Sequence, residues 1–456
     1  MGAALVAFCL LADLGAQPSV ASESGAPEMP GQPGFVPGIL ALQASGTSES
    51  RAGVAPLVAG YNPQSFVAEL LIPRLALELR NPALVFAAWY SPRIFWEYPN
   101  PSSLSGQAPL AGQTLAPSPA SEPLILHTFG LVLEARPSRS VRVTAAAGGS
   151  IGEPDYTTLP QVLGTGQATL PSVVELAAVS GQGGVVDTLS QRWQLSLAGQ
   201  ASHWQWLDIP PGLSASGTIT SQTSASGEPA AAFRLTTRDS LGLGTAVGWV
   251  SYSTGNGVFI VTPAATWKRR LDRGTDLNLR LGLTYAHLLG STPPGAVPVL
   301  GVSERQAVSP IGSAELIVHF ARLDQIMFLG RAFAGVDFYL DPVLGTGLPR
   351  GSATAELIAV AVPSWTISLR GDFATALENP PVPAGETPPD ETVFSVTLAV
   401  RRRVTENFYA ELGGKWANRG PTLDTPDFRF DQLQLWAYLS LIGTTRPIPR
   451  PALPRE

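Results

Sequence analysis

Side chains able to hold a proton, an ion or a sugar hydroxyl recur in this chain two residues apart. Arg370 and Asp372 are one step apart, Glu411 and Lys415 two steps, and Arg331 and Asp337 three. Near the end, Gln432, Gln434, Trp436 and Tyr438 follow one another at alternate positions. A step of two is the pleat of a β-strand and puts each set on one face of a sheet. Rows of guanidinium, carboxylate, amide and aromatic groups form a polar wall that meets ions or sugar rings. They do not form a reaction centre. His127, His203, His287 and His319 are scattered, and the closest carboxylate–imidazole spacing, Glu315 to His319, lies two pleats apart on one strand face. These are read as interface or lumen histidines rather than metal ligands. Serines are frequent, but none is singled out by a Ser-His or Asp-His pattern. Gly242-Leu243-Gly244 is not followed by a helix, so it is no phosphate loop. No catalytic, cofactor or metal site is expected, and the protein is expected not to be an enzyme.

The elements that would position these groups are long strands. In Asp276 to Tyr285, leucines at 277, 279, 281 and 283 alternate with Asn278, Arg280, Gly282 and Thr284. Leu433, Leu435, Ala437, Leu439 and Leu441 likewise stand opposite Gln434, Trp436, Tyr438 and Ser440. Such alternation marks strands with one apolar face. Reading every run gives strands at 35–45, 66–79, 83–97, 123–135, 140–151, 172–187, 192–204, 228–237 and 241–254. The remainder fall at 257–270, 275–289, 311–322, 326–341, 353–362, 365–377, 391–402, 406–419 and 427–442. That makes about eighteen, with sixteen as the alternative because the run from Phe35 carries Pro37 and Gly38. Tight turns such as Pro137-Ser138-Arg139 and Asp272-Arg273-Gly274 alternate with long Gly/Pro/Ser connections at 98–122, 152–171, 205–227, 290–310, 342–352, 378–390 and 420–426.

Composition fits that pattern. Of 456 residues, 45% are hydrophobic and only 14% charged, with 46 Gly and 42 Pro. An ordinary soluble domain carries about 25% charged residues. A soluble sandwich would therefore lack the Lys and Glu its solvent faces need. Gly and Pro argue against a helical bundle, and a net charge of −6 leaves no basic surplus for nucleic acid. Past residue 21, no apolar run reaches the ~18 residues of a spanning helix. Strands of 10 residues or more can cross a bilayer if they close into a barrel, which satisfies every backbone group without water. The expected fold is all-β, a single closed antiparallel transmembrane barrel with short periplasmic turns at one rim and long extracellular loops at the other. Residues 1–21 read as a signal peptide, 22–34 as a Pro/Gly-rich N-terminal segment, 35–442 as the barrel and 443–456 as a Pro-rich periplasmic tail. The single cysteine, Cys9, falls in the leader, so disulfides and thiol chemistry are excluded from the mature chain.

Alternation assigns Arg74, Glu78, Arg80, Arg142, Gln194, Gln200, Arg280, Glu315, Arg331, Asp337, Arg370, Asp372, Arg401, Glu411 and Lys415 to the lumen, with Gln432, Gln434, Trp436 and Tyr438. Two readings stand open: a pore lining of both charge signs, or ion pairs filling a closed interior. Trp436, Tyr438, Tyr339, Gln432 and Gln434 suit a sugar polymer.

From residue 35 to 442 the chain resembles Gram-negative outer-membrane β-barrels of the porin kind, carried by the alternating strands and by Gln432-Leu433-Gln434-Leu435-Trp436-Ala437-Tyr438-Leu439. Tyr90-Ser91-Pro92-Arg93-Ile94, Gly152-Glu153-Pro154-Asp155-Tyr156 and Ser190-Gln191-Arg192-Trp193 are similar to myxobacterial barrels associated with polysaccharide export. The resemblance implies an outer-membrane location and a passive pore or export conduit for a polysaccharide or small solute. It also implies outer-membrane lipid around the barrel and a periplasmic export partner. A non-conducting surface scaffold that binds a partner through its loops is the alternative; a barrel-embedded hydrolase ranks last.

Overall fold

The computed structural model describes residues 39–55, 64–81, 83–99, 123–153, 175–207, 221–253, 255, 257–289, 306–323, 326–340, 347–361, 364–377, 392–419 and 434–445. The expected leader, the 22–34 segment and the tail beyond residue 445 lie outside them. The described elements are eighteen strands and no helix. They are β1 (Ile39–Ala55), β2 (Gln64–Asn81), β3 (Leu84–Pro99), β4 (Leu124–Ala135), β5 (Val141–Gly152), β6 (Glu175–Asp187), β7 (Trp193–Leu207), β8 (Gln222–Arg234) and β9 (Asp239–Tyr252). The second half comprises β10 (Gly257–Arg270), β11 (Thr275–Leu289), β12 (Gln306–Leu323), β13 (Ile326–Leu340), β14 (Gly347–Ala361), β15 (Trp365–Ala376), β16 (Thr392–Thr405), β17 (Phe408–Arg419) and β18 (Gln434–Thr444).

Each strand pairs antiparallel with the next, and β18 pairs with β1, from Ser45 opposite Thr444 to Val54 opposite Leu435. The sheet is a closed barrel without an edge. The outer face is leucine-rich: Leu42, Leu243 and Leu281 are each about 70% exposed. Exposing a leucine to water costs about 1.5–3 kcal/mol, so rows of them in register belong in hydrocarbon. Aromatic side chains mark its two borders. Toward the short turns, Trp193 meets Phe233 at 4.8 Å and Arg402 lies over Trp365 at 5.2 Å. Toward the other rim, Phe394 meets Trp416 at 5.1 Å and Tyr90 hydrogen-bonds His127 at 2.7 Å. This is the double girdle of a bilayer-spanning barrel.

The structure moves several boundaries. β1 runs to Ala55 rather than 45, and β8 occupies Gln222–Arg234 rather than 228–237. Residues 235–239 make the turn instead: Leu235 N–H donates to the Asp239 carbonyl, and the Thr236 hydroxyl accepts from the amides of Arg238 and Asp239. β12 and β14 begin at Gln306 and Gly347, inside stretches read as loops. Phe338 follows the lumen-assigned Asp337, so alternation turns it to the lipid face; it is instead buried with Val250, Tyr252, Val258, Ile260 and Ala286. Pairing between β12 and β13 stops at Gly312–Val336, whereas β13 stays paired with β14 as far as Leu340–Gly347. Strand prolines interrupt pairing locally: the β8–β9 register skips Pro229, and the β10–β11 register skips Pro263. At the end of β5, Gly152 takes a φ of 124°, and an added Cβ would lie 2.1 Å from the Ile125 carbonyl oxygen.

Candidate functional site: the barrel lumen

The inner face follows from the register. Ile317, Arg331, Glu356, Arg370, Thr397 and Lys415 are successive partners across β12 to β17, and the row continues to Trp436 on β18. One step toward the long connections run Glu315, Phe333, Thr354, Asp372, Ser395 and Ala417. These two rows hold opposite charges side by side on a rigid lattice.

The side chains pair along that wall. Arg331 Nε lies 2.6 Å from Glu315, which also accepts from Asn278 at 3.0 Å. Arg370 meets Asp372 at 3.0 Å, and the Thr354 hydroxyl donates to Asp372 at 3.1 Å. Arg401 lies 2.6 Å from Glu411, to which the Tyr438 hydroxyl donates at 2.9 Å. Next to this group, at the seam that joins the last strand to the first, Arg51 pairs with Glu49, and both are buried. Arg142 and Glu134 pair at 3.0 Å on β5 and β4, and Arg74 lies over the Trp89 ring at 5.1 Å. Asp337 stands opposite Arg350 in register. Charge-assisted bonds of this kind need a water-filled or protein-filled interior; on the lipid side each charge would cost about 2–4 kcal/mol at mid-bilayer.

The wall from β6 to β10 is different. Its inner positions between the rims are Ala178, Ser180, Gln182 and Gly184, then Ser202, Gln200, Ala198 and Ser196, then Ser224, Ser226, Ala230 and Ala232. On β9 and β10 they are Gly248, Ala246, Gly244 and Gly242 beside Thr262, Ala264 and Thr266. Hydroxyls satisfy one another there, Ser202 with Ser224 at 2.7 Å and Thr262 with Thr284 at 3.0 Å. One mid-strand carboxylate stands on this wall, Glu228, and it lies 3.6 Å from Arg280 of β11.

Toward the long connections the inner face turns apolar. Phe66, Leu70, Ile72, Phe95 and Leu124 form one buried cluster, and the group around Val250, Tyr252 and Phe338 forms another.

An even-stranded closed barrel with a leucine exterior, two aromatic girdles and paired charges inside fits one setting. The chain is a transmembrane β-barrel of the outer-membrane type. No protein-family model matches this barrel, and no curated protein sequence matches it. Solved structures are similar to it at low identity. OccAB2 of Acinetobacter baumannii is 9% identical with a TM-score of 0.41, covering 88% of this chain and 97% of that one. The copper transporter OprC is 10% identical with a TM-score of 0.48, over 90% and 81% of the two chains. A bacterial polysaccharide outer membrane secretin is 10% identical with a TM-score of 0.31, over 90% and 99%.

Of the residues expected in the lumen, the barrel brings Glu315 to Arg331, Arg370 to Asp372, and Arg401 to Glu411 and Tyr438, while Arg280 reaches Glu228 instead of a neighbour on its own strand. Lys415 sits between Thr397 and Trp436 in register, and Gln434 opposite Ala417. Gln432 lies outside the described residues. His319 bonds Asp276 at 2.8 Å rather than Glu315. Among the described residues no three His, Cys, Asp or Glu side chains gather as metal ligands. Glu49, Arg51, Glu134, Glu228, Arg350 and Glu356 were missed by the sequence reading. Extending the alternation through the polar stretch Gln43–Ala52 would have found the first two.

Proposed function

We propose that this outer-membrane barrel is a passive pore or export conduit for polar solutes, with a polysaccharide as the leading cargo. The observation that carries the reading is lateral pairing. Arg331–Glu315, Arg370–Asp372, Arg401–Glu411 and Arg142–Glu134 each join groups on the same or adjacent strands. Charges that neutralise one another along the wall leave the lumen lined rather than bridged, and barrels of 16–18 strands enclose an aqueous channel. Sugar cargo is supported by inner groups that stack on rings or bond hydroxyls: Trp89, Trp204, Gln182, Gln200 and Tyr438. No reaction is assigned to these groups.

Liposomes containing the purified barrel test this reading. They should swell in isotonic oligosaccharide at a rate that falls as the sugar grows. Vesicles that stay as tight as protein-free controls toward both ions and sugars would overturn it.

A further inference from the structure

Three neighbouring short turns carry a dense set of exposed cations. They are the β6–β7 turn with Arg192, the β8–β9 turn with Arg238, and the β10–β11 turn with Arg273; the adjoining strand ends add Arg234, Lys268, Arg269 and Arg270, all exposed. The turns are stitched into one arc, because Arg234 N–H donates to the Arg192 carbonyl at 2.8 Å and Arg270 N–H to the Arg238 carbonyl at 2.8 Å. Side chains lock each turn: Ser190 Oγ accepts from the amides of Arg192 and Trp193, Thr236 from Arg238 and Asp239, and Asp272 from Gly274. The carboxylates of the arc are Asp187, Asp239, Asp272 and Asp276. Two of them are engaged, Asp239 with Arg269 at 3.9 Å and Asp276 with Arg270 at 3.5 Å and with His319. Among the described residues, Arg192, Arg234, Arg238, Lys268 and Arg273 take part in no ion pair.

We infer that this arc, on the periplasmic rim of the barrel, is a docking surface for an acidic periplasmic protein. Three features select that occupant. First, on β8 to β10 the cations stop at the rim, and on β11 the next inner cation, Arg280, is taken up by Glu228 at 3.6 Å. Above them on the same wall come Ser240, Gly242 and Gly244, Thr266 and Ala264, and Ala232 and Ala230. A polyanion threading the lumen would meet no continuing cationic track there. Second, Lys268 and Arg270 share the inner face with Thr266, and Arg234 shares it with Ala232, so these three point away from the phosphate heads of the surrounding lipid. Third, the arc spans six strands, about 24 Å over five spacings of 4.7–4.9 Å, the breadth of one face of a small domain. Fixed, unneutralised cations on rigid turns raise association rates and set orientation more than they deepen affinity. Elsewhere the described rim is sparser in cations: the β4–β5 turn carries Arg139 and Arg136, the latter paired with Glu134 at 3.1 Å, and Arg402 lies over Trp365. The inference uses the orientation of the barrel and is independent of whether the lumen conducts.

The full chain in detergent micelles or nanodiscs, probed with a fluorescent poly-glutamate peptide of about 20 residues, tests it. Binding measured by anisotropy should weaken at least tenfold in R192Q/R238Q/R273Q. It should be restored in R192K/R238K/R273K and should stay unchanged in R139Q, on the β4–β5 turn. Raising salt from 50 to 300 mM should also weaken it, since screening shortens from about 14 to 6 Å. Heat-modifiable gel mobility and channel conductance report folding and pore function separately. Peptide binding that ignores the triple substitution, or falls equally in R139Q, overturns the assignment. So does a soluble polyuronate that blocks conductance in the wild type and not in the triple variant while the peptide fails to bind, which makes the arc a cargo entrance. Binding to anionic phospholipid vesicles that the triple substitution abolishes, with no peptide binding, assigns it to lipid and also overturns the proposal.

Discussion

The two walls of the lumen solve the same problem with opposite chemistry. From β11 through β18 to β5, inner positions carry charges of both signs held in pairs, as in Arg331–Glu315, Arg370–Asp372 and Arg401–Glu411. From β6 to β10 the mid-strand positions are glycine, alanine, hydroxyl and amide side chains, with Glu228 as the charged exception. Both walls have the same outer face, where Leu243 and Leu281 are as exposed as Leu42. The lipid thus imposes the exterior pattern on every strand, while the interior is free to vary. Inner charge is a local choice and the outer leucines are a requirement.

The largest effect should come from breaking a pair inside the charged wall. Glu411 is 4% exposed and holds both Arg401 and Tyr438. Glu411→Ala should cost about 3–5 kcal/mol in urea unfolding from liposomes, and Arg401→Met combined with Glu411→Leu should cost less than Glu411→Ala alone. Next in size, Leu243→Arg puts a charge on the outer face of the smooth sector and should cost about 2–4 kcal/mol in the same assay. A third substitution moves charge onto the smooth wall from within. Ser226→Arg should leave stability within about 1 kcal/mol, lower single-channel conductance and shift the reversal potential toward anions. The smallest effect is Ser202→Ala, which removes one hydroxyl bond to Ser224 and should cost about 1 kcal/mol. If Ser226→Arg proved as destabilising as Leu243→Arg, the two faces of the smooth sector would not differ as described.

Much of the architecture was legible because lipid on one side and polar groups on the other enforce a period of two. β10 and β11 fall at the expected residues, Gly257–Arg270 and Thr275–Leu289. Legibility fails where the contrast between faces vanishes. The outer positions of β1 include Ala44, Gly46, Ser48, Ser50 and Ala52, so most of that strand shows no apolar stripe. The start of β8, Gln222-Thr223-Ser224-Ala225-Ser226-Gly227, is small and polar on both faces and looked like loop. In Phe66 to Ile72 both faces are apolar, so the strand was legible while its buried inner cluster was not. The pairing of lumen charges was partly legible. Arg370 and Asp372 share a strand face, but Arg280 with Glu228 depends on a register between strands that no local pattern reveals.

The central claim is that Ser226 faces a conducting lumen and Leu243, on the adjacent strand, faces lipid. Single-channel recording in a Cys9→Ser background, with Ser226→Cys or Leu243→Cys exposed to a charged, membrane-impermeant thiosulfonate reagent, tests it directly. The account predicts stepwise conductance that drops when the cysteine is at 226 and is unaffected when it is at 243. Absence of conductance, or a drop at 243 with none at 226, would contradict it.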